Sequence, residues 1–166
     1  MTRRGSRRGL SIVEASVCTV LVGLMLAAAL NASGAARARQ QRNQDRSTGL
    51  WLAQSLMTEI VEKPYADVGG LLGLELGESH GQRSTLNDLD DYNGLKEEPP
   101  RKADGTVIPG YTGWSRLVSI ENVQVANPRL VAGSETGLRR ITVTIKKGGV
   151  TVAQLRALRA KARDAW

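Results

Sequence analysis

The chain has 166 residues, 41% of them hydrophobic and 23% charged, enough length and apolar content for one folded domain. Its one Cys excludes an internal disulfide or a multi-cysteine zinc site, its one His excludes two-histidine metal centres, and without any Phe the core must come from Leu, Val, Ile and Ala. The formal charge of +7 is concentrated in Arg3, Arg4, Arg7 and Arg8; without them it falls to +3, too little to indicate nucleic acid by charge alone.

After this basic leader, Leu10 to Ala36 is almost continuously apolar or small (LSIVEASVCTVLVGLMLAAALNASGAA). A bilayer core of about 30 Å needs roughly 20 such residues in a helix, so the stretch is long enough to span. Gly23 and the Ala-rich run suit close packing between membrane helices. Glu14 is the exception, because an unpaired carboxylate in hydrocarbon costs several kcal/mol and demands a cationic partner. The candidates are the leader arginines or a new amine made by cutting nearby.

The residues Arg7-Arg8-Gly9-Leu10-Ser11-Ile12-Val13-Glu14 resemble the processing site of type IV prepilins and pseudopilins. In that family a basic leader ends in Gly, an apolar residue follows, and Glu is the fifth residue of the mature chain. Leu10 departs from the family's commonest residue, Phe. The resemblance implies that a prepilin peptidase cuts between Gly9 and Leu10 and methylates the Leu10 amine. The physics agrees with that implication. A cut before Leu10 leaves a cation at the bilayer edge, and the Glu14 carboxylate of a neighbouring subunit is its natural counter-ion in low dielectric.

Competing readings are a plain single-pass anchor with a snorkelling acid, and a secretory signal peptide ending in Asn31 to Ala36. A lipoprotein signal at Cys18 fails because Val17 stands where a small residue is needed; Cys18 reads as a small hydrophobe facing lipid or a neighbouring helix. Orientation is not decided by charge, since Arg37, Arg39, Arg42 and Arg46 follow the span as closely as four Arg precede it. The resemblance puts the chain in the bacterial inner membrane, single-pass, with its C-terminal domain on the periplasmic side.

From Arg37 to Glu62 the helix continues, interrupted by Gly49. Leu52, Ala53, Leu56, Met57 and Ile60 form one apolar stripe, and Pro64 ends it. The run from Leu52 to Ile60, then Pro64 to Asp67, is also similar to minor pilin-like proteins, although an ordinary amphipathic core helix predicts the same packing. Val68 to Gly113 is rich in Gly, Pro and Asn-Gly turns and reads as a long irregular connection with room for short strands. It holds His80, expected to be a solvated loop histidine. It also holds Asp88, Asp90, Asp91 and Asn93, a weak calcium candidate set that lacks the distal Glu of a full loop; an Asp/Asn-rich turn is the alternative.

The period then becomes two. Val118 and Ile120 alternate, with a phase change at Val123 and Val125 that predicts a bulge or bend. Ile141, Val143 and Ile145 alternate with Thr142, Thr144 and Lys146. Lys147-Gly148-Gly149-Val150 signals a tight hairpin, returned by Val150, Val152 and Leu155. The stretch Ser134 to Thr144 resembles the strand region of minor pilin-like proteins. The tail from Leu158 to Trp166 is basic and helix-permissive.

The expected fold class is α+β: a long N-terminal helix packed on a small antiparallel sheet, as in pilins. Its parts are a leader (1–9), a transmembrane half (10–36) and a soluble amphipathic half of the helix (37–63). An irregular region (64–113), a sheet region (114–158) and a basic tail (159–166) follow. By resemblance the protein is a non-enzymatic minor pilin or pseudopilin of a type II secretion or type IV pilus filament. Its partners are then other pilin subunits, the prepilin peptidase, membrane lipid and the assembly platform. No cofactor is expected. DNA is not an expected partner either, because the Arg37 to Arg46 cluster has no aromatic platform beside it. The alternative function is a membrane-tethered extracytoplasmic binding domain outside any filament.

Overall fold

The computed structural model describes residues 11–65, 74 and 77–161. One helix, α1, runs Ile12–Glu62. Four strands follow among the described residues: β1 (Lys96–Glu97), β2 (Trp114–Asn122), β3 (Leu138–Lys147) and β4 (Val150–Ala160). They form one antiparallel sheet in the order β1-β2-β3-β4. The expected α+β class, a long helix packed on a small antiparallel sheet, is what the chain adopts. It divides into two compact units, Met1–Gln44 and Asp45–Trp166.

In the first unit every described residue is exposed, including Ile12, Val13, Val20, Leu24 and Met25. In the second, the helix buries Gly49, Leu52, Ala53, Leu56, Met57 and Ile60. The 3.6-residue period puts these side chains on one face, and the period of two supplies the face they meet. Val118 pairs with Val143, and Ile120 with Ile141, in the β2–β3 ladder; Ile145 pairs with Ala153 in the β3–β4 ladder, and all six are buried. Gly49 matters for closeness rather than flexibility: a Cβ there would lie 3.0 Å from both the Ala153 Cβ and a Val152 methyl. The helix stops at Glu62, just before Pro64, which cannot donate to the helical ladder.

The β3–β4 hairpin turns through Gly148 and Gly149, with φ of 55° and 81°. Two consecutive positive φ values define the type I′ turn, whose twist matches that of the strands. Of the bulge or bend expected at the Val123 phase change, the structure has the bend: β2 ends at Asn122, Val123 makes an isolated bridge with Val131, and the chain bends at Val125, which is exposed. The irregularity in the ladder lies instead at Ile145/Lys146, beside the hairpin. β1 is a short strand within the turn-rich region, and the sheet region is corrected at its far end, where β4 continues through Leu158 to Ala160, paired with β3. As far as Ala160, cross-strand pairing overrides the local helix permissiveness of the tail.

From Gly77 onward the turn-rich region is more ordered than its composition suggests. Short 3-10 turns at Arg83–Thr85 and Asp90–Tyr92 precede β1. Leu86, Leu89, Tyr92 and Leu95 enter the same core as the helix and the sheet.

Candidate assembly site

The first unit contains the segment that sequence reasoning singled out. α1 is long and apolar enough to cross a membrane, and its apolar window is wholly unburied within the chain. Gly9 and Leu10, the expected processing residues, lie outside the described residues. From Ser11 onward the local chemistry suits hydrocarbon. The Ser11 hydroxyl accepts from the Val13 N–H at 3.3 Å and so caps the first turn. Ser16 and Thr19 donate their hydroxyls to the carbonyls of Ile12 and Ala15, four residues back, at 2.8 and 2.9 Å. Such back-bonding satisfies a polar side chain without water.

Glu14 makes no such contact. Its carboxylate can only accept, and although the first-turn N–H groups of α1 have no carbonyl four residues back, none of them donates to it. Among the described residues it has no hydrogen-bond or ion-pair partner. Ile12, Val13, Val17, Val20, Leu21 and Leu24 are at least half exposed on the same segment. The arrangement presents an apolar surface with one unmatched negative charge near its start. Arg37, Arg39, Arg42 and Arg46 are exposed farther along α1, and Cys18 is an exposed free thiol.

The second unit holds two buried ionic clusters. In the first, Arg83 reaches from its 3-10 turn to Glu59 on α1, with Nε 3.2 Å from Oε1 and a second, shorter contact from Nη2. Arg83 Nη1 donates to Glu97 Oε1 at 2.9 Å and to the Arg101 carbonyl at 2.7 Å. Arg116 of β2 donates to Glu97 Oε2 through Nε and Nη2 at 2.8 and 2.5 Å. Tyr92 completes the set, its hydroxyl donating to Glu59 Oε1 at 2.9 Å. Burial raises the Tyr92 phenol above its usual range, helped by the Glu59 charge. Burial alone would lower Arg83, but its bonds to Glu59 and its proximity to Glu97 outweigh that and raise it.

In the second cluster, Arg139 of β3 is fully buried and stacks on the Tyr65 ring at 4.3 Å. It donates to the Tyr65 carbonyl at 2.7 Å and pairs with Glu135 at 3.0 Å and Asp90 at 2.8 Å. Tyr65 donates its hydroxyl to Glu135 at 2.7 Å. Burial would raise Glu135, yet the bonds from Tyr65, the Gly137 N–H and Arg139 hold it below its ordinary range. Asp90 is pushed up to about 7, first by burial and then by its neighbour Asp88, with the Arg139 charge opposing. Asp91 is pushed up to about 6 chiefly by burial.

These contacts account for the calcium candidates. Asp91 Oδ2 accepts from the N–H groups of Asn87 and Asp88 at 2.8 and 2.9 Å. Asp88 Oδ1 accepts from those of Asp90 and Asp91 at 3.0 and 3.3 Å. Asp90 faces Arg139, and Asn93 Oδ1 accepts from the Ile120 N–H at 2.9 Å. The cluster is therefore an Asx-type turn plus an ion pair, and among the described residues no three His, Cys, Asp or Glu converge as metal ligands. His80 departs from the solvated-loop expectation. It is half-buried, and its Nε2 lies 2.7 Å from the Asp91 carbonyl, to which it donates.

Sequence reasoning did not anticipate the ionic clusters, yet a signal was present. Arg116 is in phase with Val118 and Ile120, and Arg139 with Ile141, Val143 and Ile145, so both arginines belong to the inward face. An in-phase Arg on a packed strand announces a buried partner without naming it.

Comparison of the chain with models of known protein families, with characterised proteins and with solved structures gives no match.

Proposed function

We propose that the protein is a pilin-like assembly subunit, a minor pilin or pseudopilin with no chemistry of its own, processed between Gly9 and Leu10 and held in the bacterial inner membrane by the first half of α1. The observation that carries this reading is Glu14, a carboxylate with no partner among the described residues on a helix long and apolar enough to cross a membrane. Its partner would be the Leu10 amine of an adjoining subunit, so that an isolated copy bears an uncompensated charge and a staggered pair does not. Ile12, Val13, Val17, Val20, Leu21 and Leu24 would supply the helix–helix surface. The second unit, on the periplasmic side, would give the subunit its neighbour-specific face in a type II secretion or type IV pilus filament.

Coexpression with a prepilin peptidase tests the processing. Intact-mass analysis should show loss of the nine leader residues and one added methyl group. A mature chain still starting at Met1, or starting anywhere other than Leu10, overturns the reading. Glu14→Ala should leave an anchored, folded monomer that no longer crosslinks to partner pilins; undiminished crosslinking favours a plain membrane tether.

A further inference from the structure

The sheet face turned away from α1 carries a groove of about 490 Å³ that the assembly reading does not use. Its floor comes from the outward residues of the ladders: Ser119 beside Thr142 beside Arg156, and Glu121 beside Arg140. One wall is the loop after β2, which carries Arg129. Arg140 holds that wall in place, donating to the carbonyls of Pro128 and Arg129 at 3.2 and 3.0 Å and to Glu121 at 2.6 Å. The loop is further fixed by the Gln124 N–H on the Leu130 carbonyl at 3.0 Å and by the Arg129 N–H on Asn127 Oδ1 at 3.2 Å.

With Arg140 already paired, Arg129 and Arg156 are exposed and, among the described residues, their guanidiniums have neither a hydrogen bond nor an ion pair. The groove's one carboxylate, Glu121, is the group that neutralises Arg140, so the remaining charge is positive. Beside it lies an apolar hollow of about 230 Å³, bounded by Pro128, Ala157 and Leu158 and shared by the same arginines.

We propose that this groove binds an acidic peptide segment of a partner protein, with carboxylates on Arg129 and Arg156 and a neighbouring apolar side chain in the Leu158 hollow. Planar guanidiniums match carboxylates with two parallel hydrogen bonds. The apolar hollow beside them favours a peptide over a bare anion. Nothing aromatic lines either hollow, so bases would find no stacking platform. Arg140 is a positioning residue: it fixes the loop from which Arg129 is offered. The inference is independent of the filament reading, because it requires neither cleavage at Gly9 nor Glu14.

The test is fluorescence anisotropy of the full chain in detergent with a labelled peptide of glutamates flanking a leucine. The peptide should bind more tightly than one with glutamines in place of glutamates, and binding should weaken with added salt. The double variant Arg129→Ala, Arg156→Ala should lose about tenfold or more in affinity with an unchanged melting curve, since neither side chain is buried or paired. Lys102→Ala, an exposed cation elsewhere, should bind as the parent does. Equal binding of the glutamine peptide, full retention in the double variant, or tighter binding of a DNA oligonucleotide or inorganic phosphate than of the peptide would each overturn the proposal.

Discussion

Ile12 to Leu30 and Gly49 to Ile60 belong to one uninterrupted helix and draw on the same apolar residues, yet the first stretch is exposed throughout and the second is packed to zero exposure at Leu52, Leu56 and Ile60. The difference lies in arrangement rather than amount. In the first stretch apolar side chains cover every face, a pattern that only lipid or other helices can satisfy. In the second, Leu52, Ala53, Leu56, Met57 and Ile60 form one buried stripe, with Gln54, Ser55, Thr58 and Glu59 between them and only Leu50 and Trp51 exposed beside it, and a one-sided stripe needs a one-sided cover. The period-two face of β2, β3 and β4 provides it. All-round hydrophobicity thus marks the stretch that is long and apolar enough to cross a membrane, whereas one-sided hydrophobicity marks the stretch that joins the core.

The contrast can be broken most severely at the ionic cluster beneath the second stretch. Glu97→Ala would leave Arg83 and Arg116 buried without the carboxylate they share. A cost of about 3–5 kcal/mol is expected, read as a large drop in the denaturant midpoint of the full chain in detergent. A comparable loss should follow Leu56→Ala, about 2–5 kcal/mol for a buried leucine, whereas Leu21→Ala should leave the same transition within about 0.5 kcal/mol. Equal effects from the two leucines would erase the distinction between the stretches.

Gly49→Leu comes next. With Ala153 and Val152 already at contact distance, a larger side chain has to push the helix off β4, for about 1–3 kcal/mol. The smallest effect sharpens the comparison by pH. Asp90 and Asp91 hold their protons more tightly folded than unfolded, where a carboxyl titrates near 4. Their contribution is complete below about pH 4 and is lost as pH rises through 6 to 7, so stability should fall by on the order of 2 kcal/mol between pH 5 and 8. Glu135 has the opposite sign, with stability lost as pH falls, but its lowered range puts that change below this window. Asp90→Asn, unable to titrate, should flatten most of the slope in thermal melts across that range; a slope as steep as the parent's would exclude Asp90 as its origin.

Much of the fold was legible because its signals are local. The stripe from Leu52 to Ile60, the alternation from Ile141 to Ile145 and the Gly148-Gly149 turn each announce themselves within a dozen residues, and each is found where its period implies. The turn-rich region was not legible. Its glycines and prolines advertise bends, while Leu86, Leu89, Tyr92 and Leu95, which carry it into the core, recur every third residue, a spacing that matches neither the 3.6-residue period of an α-helix nor the two of a strand. In the candidate assembly site the apolar segment and Glu14 were equally plain from the chain, because an acid in a lipid-length apolar run is anomalous wherever it occurs. The Arg129–Arg156 groove was not, since its walls come from separate strands and a loop.

The amino-acid order alone thus determined the long helix, the division between its all-round and one-sided apolar stretches, the hairpin and the out-of-place carboxylate, because these depend on the spacing of near neighbours. Tertiary structure decided which charges are buried together. Glu59 meets Arg83 across 24 positions and Tyr65 meets Arg139 across 74. Attraction between groups so far apart in the chain leaves no periodic trace and becomes defined only when packing removes the water between them.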